Sequence, residues 1–335
     1  MIALDTETML IEPGLLAPPL VCVSWADDSG RSGLLHHADP ELQWRLRQAL
    51  AEHTVWHNAP FDLLVLAVAF PELLTHIYAA YAAGRIHDTG IRQRLLDING
   101  SGLRPRYSLS LLHERHFGAP LEKDQWRLTY ADRWGVPLAD WPAGARDYAV
   151  GDAVATLAIY SAQGEAHVFD DEPAQCRADW ALHCTSARGL RTDPAAIDKL
   201  EARTLEQIAS VREQLVEVGL VRADGTRDTK AAQSRMAEVE RFPARTDTGR
   251  ISVSTEACEA TDDPTLHAYA RFQTLTSLRN GTIKDLRKGV DRPVQARYTS
   301  LIATGRTSSS APNIQNIRTR RPVCASALSL DPVTC

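Results

Sequence analysis

Met1-Ile2-Ala3-Leu4-Asp5-Thr6-Glu7-Thr8 opens the chain, an apolar run that passes into alternating acids and hydroxyls. In an extended strand, residues two apart project to one face. Asp5 and Glu7 therefore stand side by side and can share a cation, although a strand end with two solvated charges has the same pattern. Working outward, residues 20–26 (LVCVSWA) and 33–36 read as two further strands, joined through Pro13-Gly14 and Asp27-Asp28-Ser29-Gly30 as turns. Leu42, Leu46, Ala49 and Leu50 recur at helical spacing within residues 41–52. A strand is then expected over 54–57, helices over 60–70 and 71–83, a strand over 85–87, and a long helix over 143–163. Three strands followed by βαβα predict a mixed sheet flanked by helices, an α/β domain over residues 1–165.

Two further acids sit at defined places in that order. In His57-Asn58-Ala59-Pro60-Phe61-Asp62 a strand ends, Asn58 turns the chain and Pro60 suits the first turn of a helix. Asp62 then lies near the helix N-terminus, where a carboxylate is favoured whether or not it binds anything. In Tyr148-Ala149-Val150-Gly151-Asp152 the phenol and the carboxylate are four apart and share a helical face, which a half-buried Tyr above an exposed Asp would also satisfy. The combined order is D-x-E on the first strand, N-x-x-F-D at a strand-to-helix turn and Y-x-x-x-D on the last helix. It resembles the tyrosine subclass of DEDD exonucleases, as found in the proofreading domains of bacterial-type DNA polymerases. The resemblance implies a ribonuclease H-like fold and 3′–5′ exonuclease activity on DNA 3′ ends. It further implies Asp5, Glu7, Asp62 and Asp152 as metal carboxylates, Tyr148 as a catalytic partner, and Asn58 and Phe61 as DNA contacts. The chemistry agrees. Phosphodiester hydrolysis needs an activated water and a stabilised leaving oxygen, which a divalent metal pair supplies. Two Mg²⁺ (or Mn²⁺) suit carboxylate and water ligands. With an ordinary pKa of about 10, Tyr148 is better cast as an orienter of the attacking water than as a base. Asp88 is expected to cap a helix rather than to serve as a fifth ligand. His57 is expected to pack at a strand end, and Trp126, Trp134 and Trp141 to anchor their loop.

The second half changes character. Residues 176–189 and 194–218 read as helices, with irregular polar sequence from 241, a helical stretch near 264–279 and a strand-like run over 294–303. Thr304-Gly305-Arg306-Thr307-Ser308-Ser309-Ser310-Ala311-Pro312-Asn313-Ile314-Gln315-Asn316-Ile317 closely resembles a motif at the start of the palm in family A DNA polymerases. Gly189-Leu190-Arg191-Thr192-Asp193 looks like the start of the thumb, and Thr248-Gly249-Arg250-Ile251-Ser252-Val253-Ser254 is similar to a segment near the thumb-to-palm junction. The domains expected are an exonuclease over 1–165, a mainly helical thumb-like region over 166–278, an incomplete palm over 279–321 and a divergent tail over 322–335. Arg306 would reach the duplex, Asn313 and Gln315 would hydrogen-bond backbone and sugar, and Lys284 and Lys288 would attract phosphates. After Arg321 the chain reads PVCASALSLDPVTC, and Asp331 lacks the Tyr-x-x-x-Glu context of a palm aspartate. Polymerisation by this chain alone is not expected, and residues 280–335 are expected to be poorly packed or dependent on a partner, such as a separate palm-and-fingers chain. A non-catalytic DNA-binding part of a split or interrupted polymerase is the alternative reading. An RNA-trimming exonuclease is a third, opposed by the thumb-like helices and the 304–317 string.

Composition sets the frame for these motifs. The 335 residues are 44% hydrophobic and 24% charged, which excludes disorder over most of the chain. Residues 63–70, the longest apolar run, are far short of the roughly 20 residues a bilayer-spanning helix needs. Asp5 and Glu7 lie where a secretory leader would be basic and then apolar. The six cysteines show no C-x-x-C pair, so a zinc site or dense disulfide framework is not expected and a cytoplasmic location is. Net charge is −5, from 37 Lys+Arg against 42 Asp+Glu. Residues 1–165 carry 13 − 20 = −7 and residues 279–321 carry 10 − 2 = +8, an acidic front and a basic rear. That asymmetry suits a metal-binding unit joined to a polyanion-binding one.

Overall fold

Strand β1 (Ile2–Thr8) lies at the centre of a five-stranded sheet, in a computed structural model describing residues 1–12, 15–100, 102–121, 125–302, 304, 306–316 and 328–329. The sheet is completed by β2 (Leu20–Asp27), β3 (Ser32–His36), β4 (Thr54–Trp56) and β5 (Ile86–Asp88), in the order β3-β2-β1-β4-β5. The β1–β2 and β2–β3 pairs are antiparallel, and β1–β4 and β4–β5 are parallel. The helices between them are α1 (Leu42–Ala51), α2 (Ala59–Ala69), α3 (Leu74–Ala82), α4 (Thr89–Asn99) and α5 (Leu109–Phe117), followed by α6 (Ala143–Gln163). The expected mixed sheet flanked by helices is therefore the architecture found. The expected helix over 71–83 is a short 3₁₀ turn, Pro71–Leu73, leading into α3.

Helix α6 can approach the sheet closely because Ala145, Ala149 and Ala153, four apart, are fully buried along one stripe. Small side chains there bring the helix backbone near the strands, with Val21, Cys22, Tyr130 and Trp141 filling the same cluster. Trp141 is thus the loop anchor anticipated, and Trp134 stacks on His37 with ring centroids 4.6 Å apart. The opposite core joins Leu4, Trp56, Leu63, Leu66, Ile77 and Ile86.

The chain forms two compact units, Met1–Gly189 with Gln295–Gln315, and Leu190–Val294 with Asn316–Cys335. The first unit thus runs past residue 165, where the exonuclease domain was expected to end. Helix α7 (Glu172–Arg188) packs Cys176 and Trp180 into the core of the first unit, Trp180 against Tyr81 at 5.5 Å between rings. Ser186 Oγ donates to the Ala296 carbonyl at 2.5 Å and Gln295 Nε2 to the Ala187 carbonyl at 2.9 Å, tying the returning segment to α7.

The second unit begins with β6 (Arg191–Thr192) and α8 (Pro194–Glu217), where Asp193 caps Ala195 and Ala196 immediately before Pro194. It continues through α9 (Thr229–Val239), α10 (Thr255–Glu259), α11 (Pro264–Ser277) and α12 (Lys284–Asp291). Leu215, Met236, Leu266, Tyr269 and Phe272 form its main core, and Ile197, Leu200, Ile283 and Leu286 a second cluster.

The returning segment of the first unit forms a hairpin of β7 (Arg297–Thr299) and β8 (Ser308–Ser310). A final short strand, β9 (Leu328–Ser329), pairs with β6. The expectation of poor packing from residue 280 onward is corrected for the described part. Ile283, Leu286, Ala296, Leu301 and Ser309 are all buried, because helix α12 and the hairpin each find an apolar face within their own unit. The rest of the anticipated tail over 322–335, and Ile317, lie outside the described residues. Among the described residues no helix is long and apolar enough to cross a membrane.

Candidate active site

Strand β1 is longer than its parallel neighbour. Ile2 and Ala3 pair with β4, but the ladder stops there. Beyond it, the Thr6 N–H on that edge donates instead to Asp62 Oδ1 at 3.0 Å, and Thr6 Oγ1 donates to the same oxygen at 2.6 Å. Asp62 is placed by the turn into α2. Asn58 takes the left-handed conformation, φ 66°, which Asn tolerates better than most residues. The first backbone N–H of the helix, at Ala59, is taken by Asp88 Oδ2 at 2.7 Å. Asp62 then falls in the first turn of α2, at the positive end of the helix.

On the face of β1 that carries Asp5 and Glu7, α6 contributes Asp152, and one carboxylate oxygen from each of the three lies within 4.8 Å of the others. The electrostatics show what this costs. Burial first, then the charges of Asp62, Glu7 and Asp152, push the Asp5 pKa well above its ordinary value. Burial raises Asp62 to about 7 despite the two hydrogen bonds from Thr6, which pull the other way. Hard oxygen donors gathered at such mutual cost are a donor set for a hard divalent cation.

A cleft of about 790 Å³ opens beside this cluster. Asn58, Phe61, Tyr148 and Asp152 line it, so four of the expected site residues share one space, and Asp5 and Glu7 reach it through Asp152. Arg306, Asn313 and Gln315 are not among the described residues lining it. Arg306 is exposed, while Ser309 Oγ donates to Asn313 Oδ1 at 3.1 Å and accepts from Gln315 N at 3.0 Å. Gln315 Nε2 donates to Thr307 Oγ1 at 2.9 Å. Both amide side chains thus brace their own loop. Lys284 and Lys288 are exposed on α12 of the second unit, and Lys288 pairs with Asp285 at 2.7 Å.

Asp88 behaves as the cap it was read to be. Its Oδ1 accepts from Gly90 N and Ile91 N at 2.8 and 3.0 Å while Oδ2 holds Ala59, so one carboxylate starts both α4 and α2. Its own backbone N–H donates to Glu172 Oε1 at 3.2 Å, and Glu172 pairs with buried Arg92 at 2.8 Å. His57 both packs and lines the cleft. Burial drives its pKa down to about 4, and Nδ1 lies 2.8 Å from Thr89 Oγ1. The sequence reading passed over Arg94, Tyr107, Asp179, His183 and Tyr298, which also line the cleft. No local motif marks them, because they come together only through the packing of α4, α7 and β7.

Residues 1–163 match the family model described as 3′-5′ exonuclease. No curated protein matches the chain. Among solved structures the chain is similar to the POL domain of Pol1 from M. smegmatis, in complex with DNA primer-template and dNTP, at TM-score 0.64 and 18% identity. That similarity covers 97% of this chain and 53% of that one, so the chain spans about half the length of its structural neighbour.

Proposed function

We propose that the chain is a metal-dependent 3′–5′ exodeoxyribonuclease that trims DNA 3′ ends, the proofreading activity of a family A polymerase. The observation carrying this reading is the convergence of Asp5, Glu7 and Asp152 within 4.8 Å beside a cleft, in a segment that matches an exonuclease family. Asp5, Glu7 and Asp152, with Asp62 alongside, would hold two Mg²⁺ or Mn²⁺, which when bound activate water and stabilise the leaving oxygen.

The chain's own groups do the rest. Thr6 fixes one oxygen of Asp62 through two hydrogen bonds, so the other oxygen is presented in a set direction. Tyr148, one turn before Asp152, presents its phenol to the same cleft and orients the attacking water. Phe61 supplies an apolar face for the terminal base, and Asn58 a polar side chain for the sugar or phosphate. Lys284, Lys288 and Arg306 are exposed cations suited to duplex phosphates, all three in the palm entrance (279–321) that follows the thumb-like region (166–278) in sequence.

The test is release of nucleotides from the 3′ end of single-stranded DNA with Mg²⁺, compared with RNA of the same sequence. Asp5→Ala combined with Glu7→Ala should abolish release by orders of magnitude. Activity persisting in that double variant, or release from RNA alone, sinks the proposal.

A further inference from the structure

The cleft has walls that the exonuclease segment does not supply. Helix α7 contributes Asp179 and His183, and β7 contributes Arg297, Tyr298 and Thr299, all beyond the residues matched by the exonuclease family. These walls are braced. β7 is laddered to β8, and the residues before it are bonded to α7 through Ser186 and Gln295. Within the exonuclease segment, Arg94 lies over the Tyr107 ring, 5.0 Å from its centroid. Tyr107 is itself held, its hydroxyl donating to Asp97 Oδ2 at 2.9 Å and accepting from Arg104 N at 2.8 Å.

The volume of about 790 Å³ lies toward the upper end of the range, about 300–1,000 Å³, that encloses small ligands, and leaves room beyond a single terminal nucleotide. The groups there are guanidinium and aromatic, the pair that binds single strands without reading sequence, by phosphate attraction and base stacking. Asp179, the acid on this wall, is raised to about 6 by burial, which lessens its charge beside a phosphate path at mildly acidic pH.

Resting on the exonuclease reading above, we propose that the α7–β7 wall is part of the substrate channel. It grips nucleotides two or more positions on the 5′ side of the one being removed, with Arg297 pairing a backbone phosphate and Tyr298 stacking a base.

The experiment uses the full chain with Mg²⁺ and two substrates, a thymidine dinucleotide and a thymidine octamer, reading kcat and KM for each. Tyr298→Ala should raise KM for the octamer about 5- to 150-fold, the loss of one stacked base, with kcat and the dinucleotide KM unchanged. Tyr298→Phe should restore the octamer KM. Arg297→Gln should flatten the dependence of log KM on log salt by about 0.7, one phosphate contact on a single strand. An octamer KM that does not move, or one that moves together with the dinucleotide KM, overturns the proposal. Binding of a fluorescein-labelled octamer in EDTA is measured in parallel. If no substrate is cleaved, the exonuclease reading has failed, and an octamer Kd unchanged by Tyr298→Ala and Arg297→Gln then overturns the channel as well.

Discussion

Replacing Asp62 with Asn should stabilise the metal-free protein at pH 8, although it removes a residue proposed to serve the metals. The carboxylate is buried, and its pKa stands at about 7 against an ordinary 3.8. At about 1.4 kcal/mol per pH unit, that difference corresponds to at most about 4 kcal/mol. The sign follows from proton counting. Between pH 3.8 and about 7 the folded state holds this proton more firmly than the unfolded chain, so stability falls as pH rises and the loss is complete above 7. His57 acts oppositely. Its pKa drops from 6.5 to about 4 on burial, so its contribution is lost as pH falls through that window. The wild-type curve alone therefore mixes two opposing slopes, and the difference between Asp62→Asn and wild type isolates the carboxylate.

In EDTA the two proteins should melt together near pH 4. At pH 8 the variant should gain roughly 8–16 °C at the upper bound, taking about 2–4 °C per kcal/mol for a domain of 150–250 residues. Removing this charge also relieves Asp5, for which Asp62 is the largest electrostatic burden after burial. Mg²⁺ at 100 times its Kd should add about 2.7 kcal/mol to the wild type and less to the variant. The measurement is melting followed by circular dichroism at pH 4, 6 and 8, with EDTA and with Mg²⁺. A variant no more stable than wild type at pH 8 in EDTA refutes the argument that burial of the Asp62 charge is a standing cost.

Other perturbations separate structural from catalytic roles. Tyr148→Phe should lower kcat for nucleotide release by up to about 100-fold, the cost of a misplaced reacting group, with KM little changed; an unchanged kcat removes the phenol from the mechanism. Asp88→Ala should retain metal-dependent release while losing about 0.5–2 kcal/mol of stability, as loss of a helix cap does; loss of metal binding in an otherwise folded variant would make it a ligand instead. Glu172→Ala should destabilise by about 3–5 kcal/mol in urea unfolding, because Arg92 is left buried without its partner; a cost below about 1 kcal/mol would show that solvent reaches that guanidinium.

Some of this site was legible from short stretches of chain. The D-x-E spacing on β1, the Asn58 turn, Pro60 in the first turn of α2 and the Asp88 cap rest on strand alternation, left-handed tolerance and helix-end hydrogen bonding, all local properties. So did the length of α6, read off its composition. Helices α5 and α9 escaped the sequence reading, both being short and carrying mixed polar residues on most of their surface. The loop 304–316 shows the opposite limit. Its motif is recognisable, yet Asn313 and Gln315 turn out to hold Ser309 and Thr307 rather than stand clear of the loop.

By itself, then, the sequence determined most of the sheet and helix elements and which acids sit at their ends, because backbone periodicity and capping act over a few residues. Only the tertiary structure decided that Asp152 meets Asp5 and Glu7, since that depends on an alanine stripe letting α6 settle close to the sheet. It alone decided that Asp62 answers to Thr6, because β1 outruns β4 and leaves a backbone donor open. It also decided that α7 and β7 complete the cleft, because burial of Trp180 and Leu301 draws distant segments into one core. Desolvation has the same origin: the pKa values of Asp5, Asp62 and His57 depend on neighbours that no local stretch of chain contains.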